Sequence, residues 1–130
     1  MYLLDTNICI ALLEENTRAT REFILKPDLC YVSTIVVSEL YKGVYCSTKI
    51  ERNLTILINF LQEVLVFDFD RAAAEEFGKI QGELRKKGKP TGEMDALIAA
   101  MARSRGDILV TNNVRHFENI SGLAIANWLE

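Results

Sequence analysis

The chain of 130 residues has few of the residues that build disulfide frameworks, linkers or membrane anchors. Its three cysteines, Cys9, Cys30 and Cys46, are far apart and set in apolar surroundings, so a disulfide framework and a zinc knuckle do not fit, and buried thiols are expected. Seven glycines and two prolines are too few for a linker, so residues 1–130 are expected to form a single domain. No apolar segment is long enough for a membrane span and no signal-peptide pattern is present, so the expected location is the cytoplasm.

Basic residues are fewer than acidic ones, 15 against 18, and there is only one histidine. The formal net charge is −3, which argues against a constitutive DNA-binding protein. No Ser/His/Asp arrangement and no glycine-rich phosphate loop is present, so neither a side-chain nucleophile nor P-loop chemistry is indicated. The only histidine, His116, has no neighbouring cluster of metal ligands, and a surface or capping role is expected for it.

Apolar strand-like segments alternate with helical patterns along the chain. We expect strands at 2–4, 31–33, 64–67, 108–111 and 123–126, each near-continuously apolar and buried. Helices are expected from residue 8 onward and at 34–45, 51–63, 71–87 and 93–105, where capping residues and apolar periodicity agree. This alternation predicts an α/β fold of three layers, with a central parallel sheet of about five strands flanked by helices. In helix 51–63 one apolar face is expected to pack on the core; its members are Leu54, Leu57, Ile58 and Leu61.

Three acidic residues lie where an apolar segment meets a turn or the start of a helix. Asp5 follows the first strand, while Glu39 and Asp95 have apolar neighbours within their helices. Each of them alone could be a helix cap or a surface residue. Carboxylates desolvated together either become neutral or share a cation, and an all-oxygen site favours Mg²⁺ or Mn²⁺. Together they predict a metal pocket at the carboxyl edge of the sheet.

Four motifs in order along the chain resemble those of the PIN domain, and more narrowly of the VapC toxins of VapBC toxin–antitoxin systems. They are Asp5-Thr6-Asn7, Ser38-Glu39-Leu40, Asp95 followed by Leu97-Ile98-Ala99-Ala100, and Val110-Thr111-Asn112-Asn113 with Phe117. The resemblance covers the whole chain. It implies a PIN-like fold and a metal-dependent endoribonuclease that hydrolyses RNA with a metal-activated water.

The resemblance also implies roles for particular residues. Asp5, Glu39 and Asp95 match the acidic metal ligands, and Asn113 occupies the fourth position, where many members have Asp. Because an amide carries no charge, a site with Asn113 would hold one Mg²⁺ through three carboxylates. Thr6 and Thr111 are implied as hydrogen-bonding support. The implied partners are RNA, a VapB-like antitoxin whose tail blocks the acidic pocket, and a second copy in a homodimer, with DNA contacted only through the antitoxin.

Several basic residues are candidates for contacts with RNA phosphates. Most lie in the segment before the Asp95 helix, and Lys42 lies one turn beyond Glu39. The segment could equally serve the dipole of the helix that it ends. Its members are Arg85, Lys86, Lys87 and Lys89.

Other functions remain open from the residues alone. A PIN domain can serve RNA processing without being a toxin. The segment 64–70 resembles the paired aspartates of haloacid-dehalogenase phosphatases, with Asp68 as nucleophile, but Ala72 stands where that family has a hydroxyl residue. A receiver-type signalling module would use Asp5 and Asp68 but needs a lysine after the fifth strand, which residues 127–130 lack.

Overall fold

A single parallel sheet of five strands organises the molecule, which is described here for residues 1–130 by a computed structural model. The spatial order is β3-β2-β1-β4-β5. The first three strands therefore run from the centre of the sheet to one edge, and β4 and β5 are added on the other side of β1. The predicted α/β fold is confirmed. The strands are β1 (Tyr2–Leu4), β2 (Cys30–Ser33), β3 (Leu65–Phe67), β4 (Ile108–Val110) and β5 (Ala124–Ala126).

Seven α-helices flank the sheet. Four of them agree with the predicted bounds to within a residue, whereas α2, α7 and a 3₁₀ turn at Pro27–Leu29 were not predicted. The helices are α1 (Thr6–Leu13), α2 (Thr17–Leu25), α3 (Thr34–Tyr45), α4 (Ile50–Glu63), α5 (Arg71–Lys87), α6 (Glu93–Arg105) and α7 (Val114–Phe117). No helix is long and apolar enough to cross a membrane.

Side-chain caps explain why several helices begin where they do. Asp5, Ser33 and Asp70 each accept a backbone N–H from the first turn of α1, α3 and α5. Asp5 directly follows β1 and Ser33 is the last residue of β2, so each of these caps stands where a strand passes into a helix. Gly88 and Gly106 end α5 and α6 with positive φ angles of 65° and 68°, a conformation that favours glycine.

The core lies around the three central strands and α6. Leu3, Val32 and Leu109 of these strands are fully buried, as is the alanine-rich face of α6 that packs near them. Small side chains on α6 allow its backbone to lie close to its neighbours. The buried residues of α6 are Ala96, Ile98, Ala99, Ala100, Met101 and Ala102.

Three predictions of burial were wrong. Leu65 and Val66 are 41% and 40% exposed because β3 is an edge strand, which has a neighbour on one side only. Of the expected apolar face of α4, only Leu57 is fully buried, and Ile58 is 41% exposed. Cys46 is exposed because it ends α3 at the surface, whereas Cys9 and Cys30 are buried thiols as expected.

Candidate active site

Asp5 lies at the switch point of the sheet, between β1 and β4, where the order of the strands reverses. It follows β1, and its backbone N–H donates to the carbonyl of Val110 on the adjacent strand β4 at 2.9 Å. The crevice at such a switch point, beyond the carboxyl ends of the strands, is where open α/β sheets bind ligands. The Asp5 side chain is only 5% exposed. Its Oδ1 accepts the Thr6 N–H and its Oδ2 accepts the Thr111 hydroxyl, both at 2.8 Å.

Glu39 reaches the same region from α3. Its Oε1 accepts a hydrogen bond from the Thr6 hydroxyl at 3.0 Å, so Thr6 contacts two of the three acids, one through its backbone and the other through its side chain. The structure therefore places both threonines, Thr6 and Thr111, against the acids beside which the resemblance puts them.

Asp95 lies in the first turn of α6, where the positive end of the helix dipole favours a carboxylate. Its Oδ2 lies 3.1 Å from Nδ1 of His116, which projects from the one-turn helix α7. His116 is a surface side chain, 57% exposed, as predicted, but its contact with Asp95 was not predicted. Nothing in the local sequence signals this contact, because the two residues are 21 positions apart.

The electrostatic environment of Asp5 is unfavourable to its own charge. Burial raises the pKa of Asp5 above its usual value, and the negative charges of Asp95 and Glu39 raise it further, although the hydrogen bonds from Thr111 and Thr6 act in the opposite direction. Neither Asp5 nor Glu39 forms an ion pair. The three acids thus bring negative charge together without a lysine or arginine to balance it.

Asp107, the other buried aspartate, has positively charged partners that Asp5 lacks. It lies at the opposite edge of the sheet, just before β4, and accepts hydrogen bonds from the Tyr31 hydroxyl at 2.7 Å, Arg105 Nε at 2.9 Å and the amino group of Met1 at 3.0 Å. Burial opposes its ionisation, yet these hydrogen bonds hold its pKa below the usual value. Asp5 has no cationic partner of this kind, and a bound metal ion would supply the positive charge.

The donor set fits a hard divalent cation. Carboxylate oxygens from Asp5, Glu39 and Asp95 are the ligands that Mg²⁺ and Mn²⁺ prefer, and the chain has no second histidine to favour zinc. The thiol near Asp5, that of Cys9, is fully buried, and burial raises its pKa, which disfavours the thiolate that zinc would need. The side chains are not gathered into a metal-ligating group of three. Glu39 is turned toward Thr6 and Asp95 toward His116, so binding a shared cation requires these two carboxylates to rotate toward Asp5.

Asn113 stands at the start of α7, close to Thr111. Its backbone N–H donates to the Thr111 hydroxyl at 3.0 Å, and that hydroxyl donates to Asp5. The Asn113 side chain is exposed and forms no hydrogen bond. The structure therefore links Asn113 to the acids through its backbone and Thr111, and the amide does not contact the three carboxylates.

Two hollows each have one of the acids in their wall. The first, here called the polar cleft, has a volume of about 400 Å³ and is lined by Pro90, Thr91, Gly92, Asp95, Arg115, His116 and Asn119. The second, here called the apolar groove, has a volume of about 440 Å³ and is lined by Ile10, Leu13, Glu14, Glu39, Leu40, Gly43, Val44, Asn53, Ile56 and Leu57. Each contains one of the acids, Asp95 or Glu39.

The basic candidates differ in their surroundings. Lys87 forms hydrogen bonds within the protein: its Nζ donates to the Asn119 carbonyl at 3.0 Å and to the Ser121 hydroxyl at 2.9 Å. Arg85 and Lys89 line a third hollow of about 410 Å³, which shares Pro90 with the polar cleft. Lys42 and Lys86 are exposed on α3 and α5 and form no ion pair.

Asp68 and Asp70, on which the phosphatase alternative depends, lie elsewhere. They follow the edge strand β3, two strands away from β1, and Asp70 caps α5. Nothing brings a second catalytic group to Asp68.

The parallel five-stranded sheet flanked by helices defines an α/β domain, and the chain belongs to the PIN domain family, whose model matches residues 2–123. Proteins similar to it include VapC ribonucleases. It is 41% identical to the tRNA(fMet)-specific endonuclease VapC of Shigella flexneri over 98% of this chain and 97% of that protein. It is also 41% identical to ribonuclease VapC2 of Haemophilus influenzae, over 98% of each chain.

Solved structures of toxin–antitoxin complexes have the same fold. The chain is similar to VapBC from Salmonella typhimurium bound to DNA, with a TM-score of 0.94 and 39% identity over 98% of this chain and 97% of that one. It is similar to VapBC2 from Rickettsia felis, bound to a DNA fragment from its promoter, with a TM-score of 0.93 and 34% identity over 98% of each chain.

Proposed function

We propose that the protein is an endoribonuclease of the VapC type, a toxin neutralised by a cognate VapB antitoxin. The observation that carries the proposal is the buried carboxylate of Asp5, placed at the switch point of the sheet beside Glu39 and Asp95 and without a cation of its own. The similarity to VapC ribonucleases along nearly the whole chain supports RNA as the substrate.

The proposed cofactor is Mg²⁺, with Mn²⁺ as a substitute, held by Asp5, Glu39 and Asp95. When bound, the ion would activate a water molecule and stabilise the charge that develops on the phosphate. Asn113 is proposed as a neutral fourth member of the site, so the charge on the protein side comes from three carboxylates. Thr111 and Thr6 orient Asp5 and Glu39 through the hydrogen bonds described above.

Cleavage of RNA in the presence and absence of Mg²⁺ tests this function. Purified protein, freed of antitoxin, is incubated with initiator tRNA, chosen because a relative with 41% identity is an endonuclease specific for tRNA(fMet), and with an unstructured RNA. We expect cleavage in MgCl₂, none in EDTA, and recovery when excess Mg²⁺ is added back. Cleavage at the same rate in EDTA would contradict the metal-dependent mechanism.

We further propose that the antitoxin occupies the apolar groove. The groove has six apolar side chains in its wall, and Ile10 and Ile56 are 43% and 39% exposed there. An apolar segment of VapB would cover these side chains, and a basic residue on it would meet Glu39 and Glu14, which lie in the same wall. The groove is formed by α1, α3 and α4, so α4 contributes Ile56 and Leu57, whereas the exposed Ile58 is not part of the wall.

Ile56→Asp is expected to weaken VapB binding by at least about tenfold, because a charge in a desolvated apolar contact is costly. RNA cleavage by the free protein should stay close to normal. The measurement is the dissociation constant of the VapB complex, with Ile24→Asp as the control, since Ile24 is an exposed isoleucine on α2 and outside the groove. Equal effects of the two substitutions would argue against this docking site.

We also propose that the protein forms a homodimer and that DNA is contacted only through VapB.

A further inference from the structure

Pro90 is the only apolar side chain in the wall of the polar cleft beside Asp95. RNA bases stack on aromatic rings or guanidinium planes, and this wall has no Phe, Tyr or Trp, so His116 and Arg115 are its only such groups. The hydroxyl, amide, imidazole and guanidinium groups of the wall suit the sugar–phosphate backbone, and Asp95 adds one carboxylate. Its position beside Asp95 places any bound phosphate next to the proposed site of cleavage.

Arg115 is the one permanently charged cation in this wall. It forms no ion pair, whereas Arg103 is bound to Glu76 and Glu83, and Arg105 to Asp107. A guanidinium presents paired donors that match two oxygens of a phosphate. In a chain of net charge −3, an unpaired arginine facing the active-site cleft indicates an anionic ligand.

Positive charge continues from the polar cleft into the neighbouring hollow. The neighbouring hollow, which shares Pro90, is lined by Arg85 and Lys89, and neither forms an ion pair. The apolar groove, by contrast, has Glu14 and Glu39 in its wall and no cation. An RNA strand crossing the acids would therefore be attracted toward the side of α7 and the α5–α6 loop.

We propose that Arg115 binds a backbone phosphate of the RNA next to the cleaved bond, with the strand continuing past Lys89 and Arg85. This inference rests on the proposed ribonuclease function. RNA and antitoxin then use different hollows, each lined by one of the acids.

Arg115→Gln tests the phosphate contact. We expect KM for RNA to rise about tenfold with little change in kcat, and affinity for a short fluorescent single-stranded RNA, measured in EDTA, to fall by a similar factor. The slope of log affinity against log salt concentration should become shallower by about 0.7, the value for one lost phosphate contact on a single strand. Arg115→Lys, which keeps the charge, should retain the wild-type slope.

The matched control is Arg71→Gln, which removes the same charge at the opposite end of α5, about 25 Å from Lys87. It should leave KM and the salt slope at wild-type values. If Arg115→Gln binds and cleaves RNA like the wild type, or if Arg71→Gln has the same effect as Arg115→Gln, the proposed contact is wrong. Failure of the wild type itself to cleave RNA would instead refute the ribonuclease function. Circular dichroism of each variant verifies that the fold is kept.

Discussion

Asp5→Asn is expected to abolish RNA cleavage, with a loss of about a thousandfold or more, while the protein remains folded. In the proposed mechanism, several kcal/mol of transition-state stabilisation by the metal would depend on this carboxylate, and each 1.36 kcal/mol corresponds to a factor of ten. The amide keeps an oxygen that can accept the Thr6 N–H, so the cap of α1 is preserved. It can also donate to the Thr111 hydroxyl oxygen.

In EDTA, the same substitution should raise the stability of the protein at neutral pH. The pKa of Asp5 is raised in the folded state, so its ionised form costs stability above that pKa, and the cost disappears below the unfolded value of about 3.8. The melting temperature of Asp5→Asn should therefore exceed that of the wild type at pH 7, and the difference should shrink toward pH 4.

Glu93→Gln is the control for the loss of a negative charge near the site. Glu93 is exposed in the first turn of α6, two positions before Asp95, and it contacts none of the acids. Its cleavage rate should stay within about twofold of the wild type, as for most surface substitutions away from a site. An active Asp5→Asn protein, or an inactive Glu93→Gln protein, would contradict the assignment of Asp5.

Phe117→Ala is expected to destabilise the protein by about 3–5 kcal/mol, a large part of the stability of a domain of this size. Phe117 ends the one-turn helix α7 and its side chain is 0% exposed. A helix this short cannot hold itself in place, so the buried ring anchors it to the core. The measurement is the free energy of unfolding from urea titration.

Activity should fall as well, because α7 carries Arg115 and His116 into the polar cleft. Val114→Ala, in the same turn but with an exposed side chain, should cost less than about 1 kcal/mol. Similar costs for the two substitutions would show that the ring does not anchor α7.

The sequence was sufficient to predict most of the fold because its signals are local. Asp70 and Gly88 bracket α5, and Ser33 marks the start of α3, so these bounds follow from capping chemistry. The exposure of Val66 could not be predicted in the same way. It depends on β3 being at the edge of the sheet, which is a property of strand order and not of the apolar segment itself.

The site was predictable in part for the same reason. The positions of Asp5 and Thr111 follow from the rule that acids and hydroxyls after parallel strands meet at one edge. The contact between His116 and Asp95 and the role of α7 depend on tertiary packing of a single turn, which is too short for any periodic pattern. α2 was not predicted, although Asn16 caps it and its apolar residues follow a helical period.

The most direct test of the central claim is the dependence of RNA cleavage on Mg²⁺ concentration in the wild type and in Asp95→Asn. The claim is that three carboxylates share one cation at which RNA is cut. It predicts a rate that is zero in EDTA and saturates with Mg²⁺ in the wild type, and a curve shifted to about tenfold or higher Mg²⁺ when one ligand is neutralised. A wild-type rate that does not change with Mg²⁺, or identical curves for the two proteins, would contradict it.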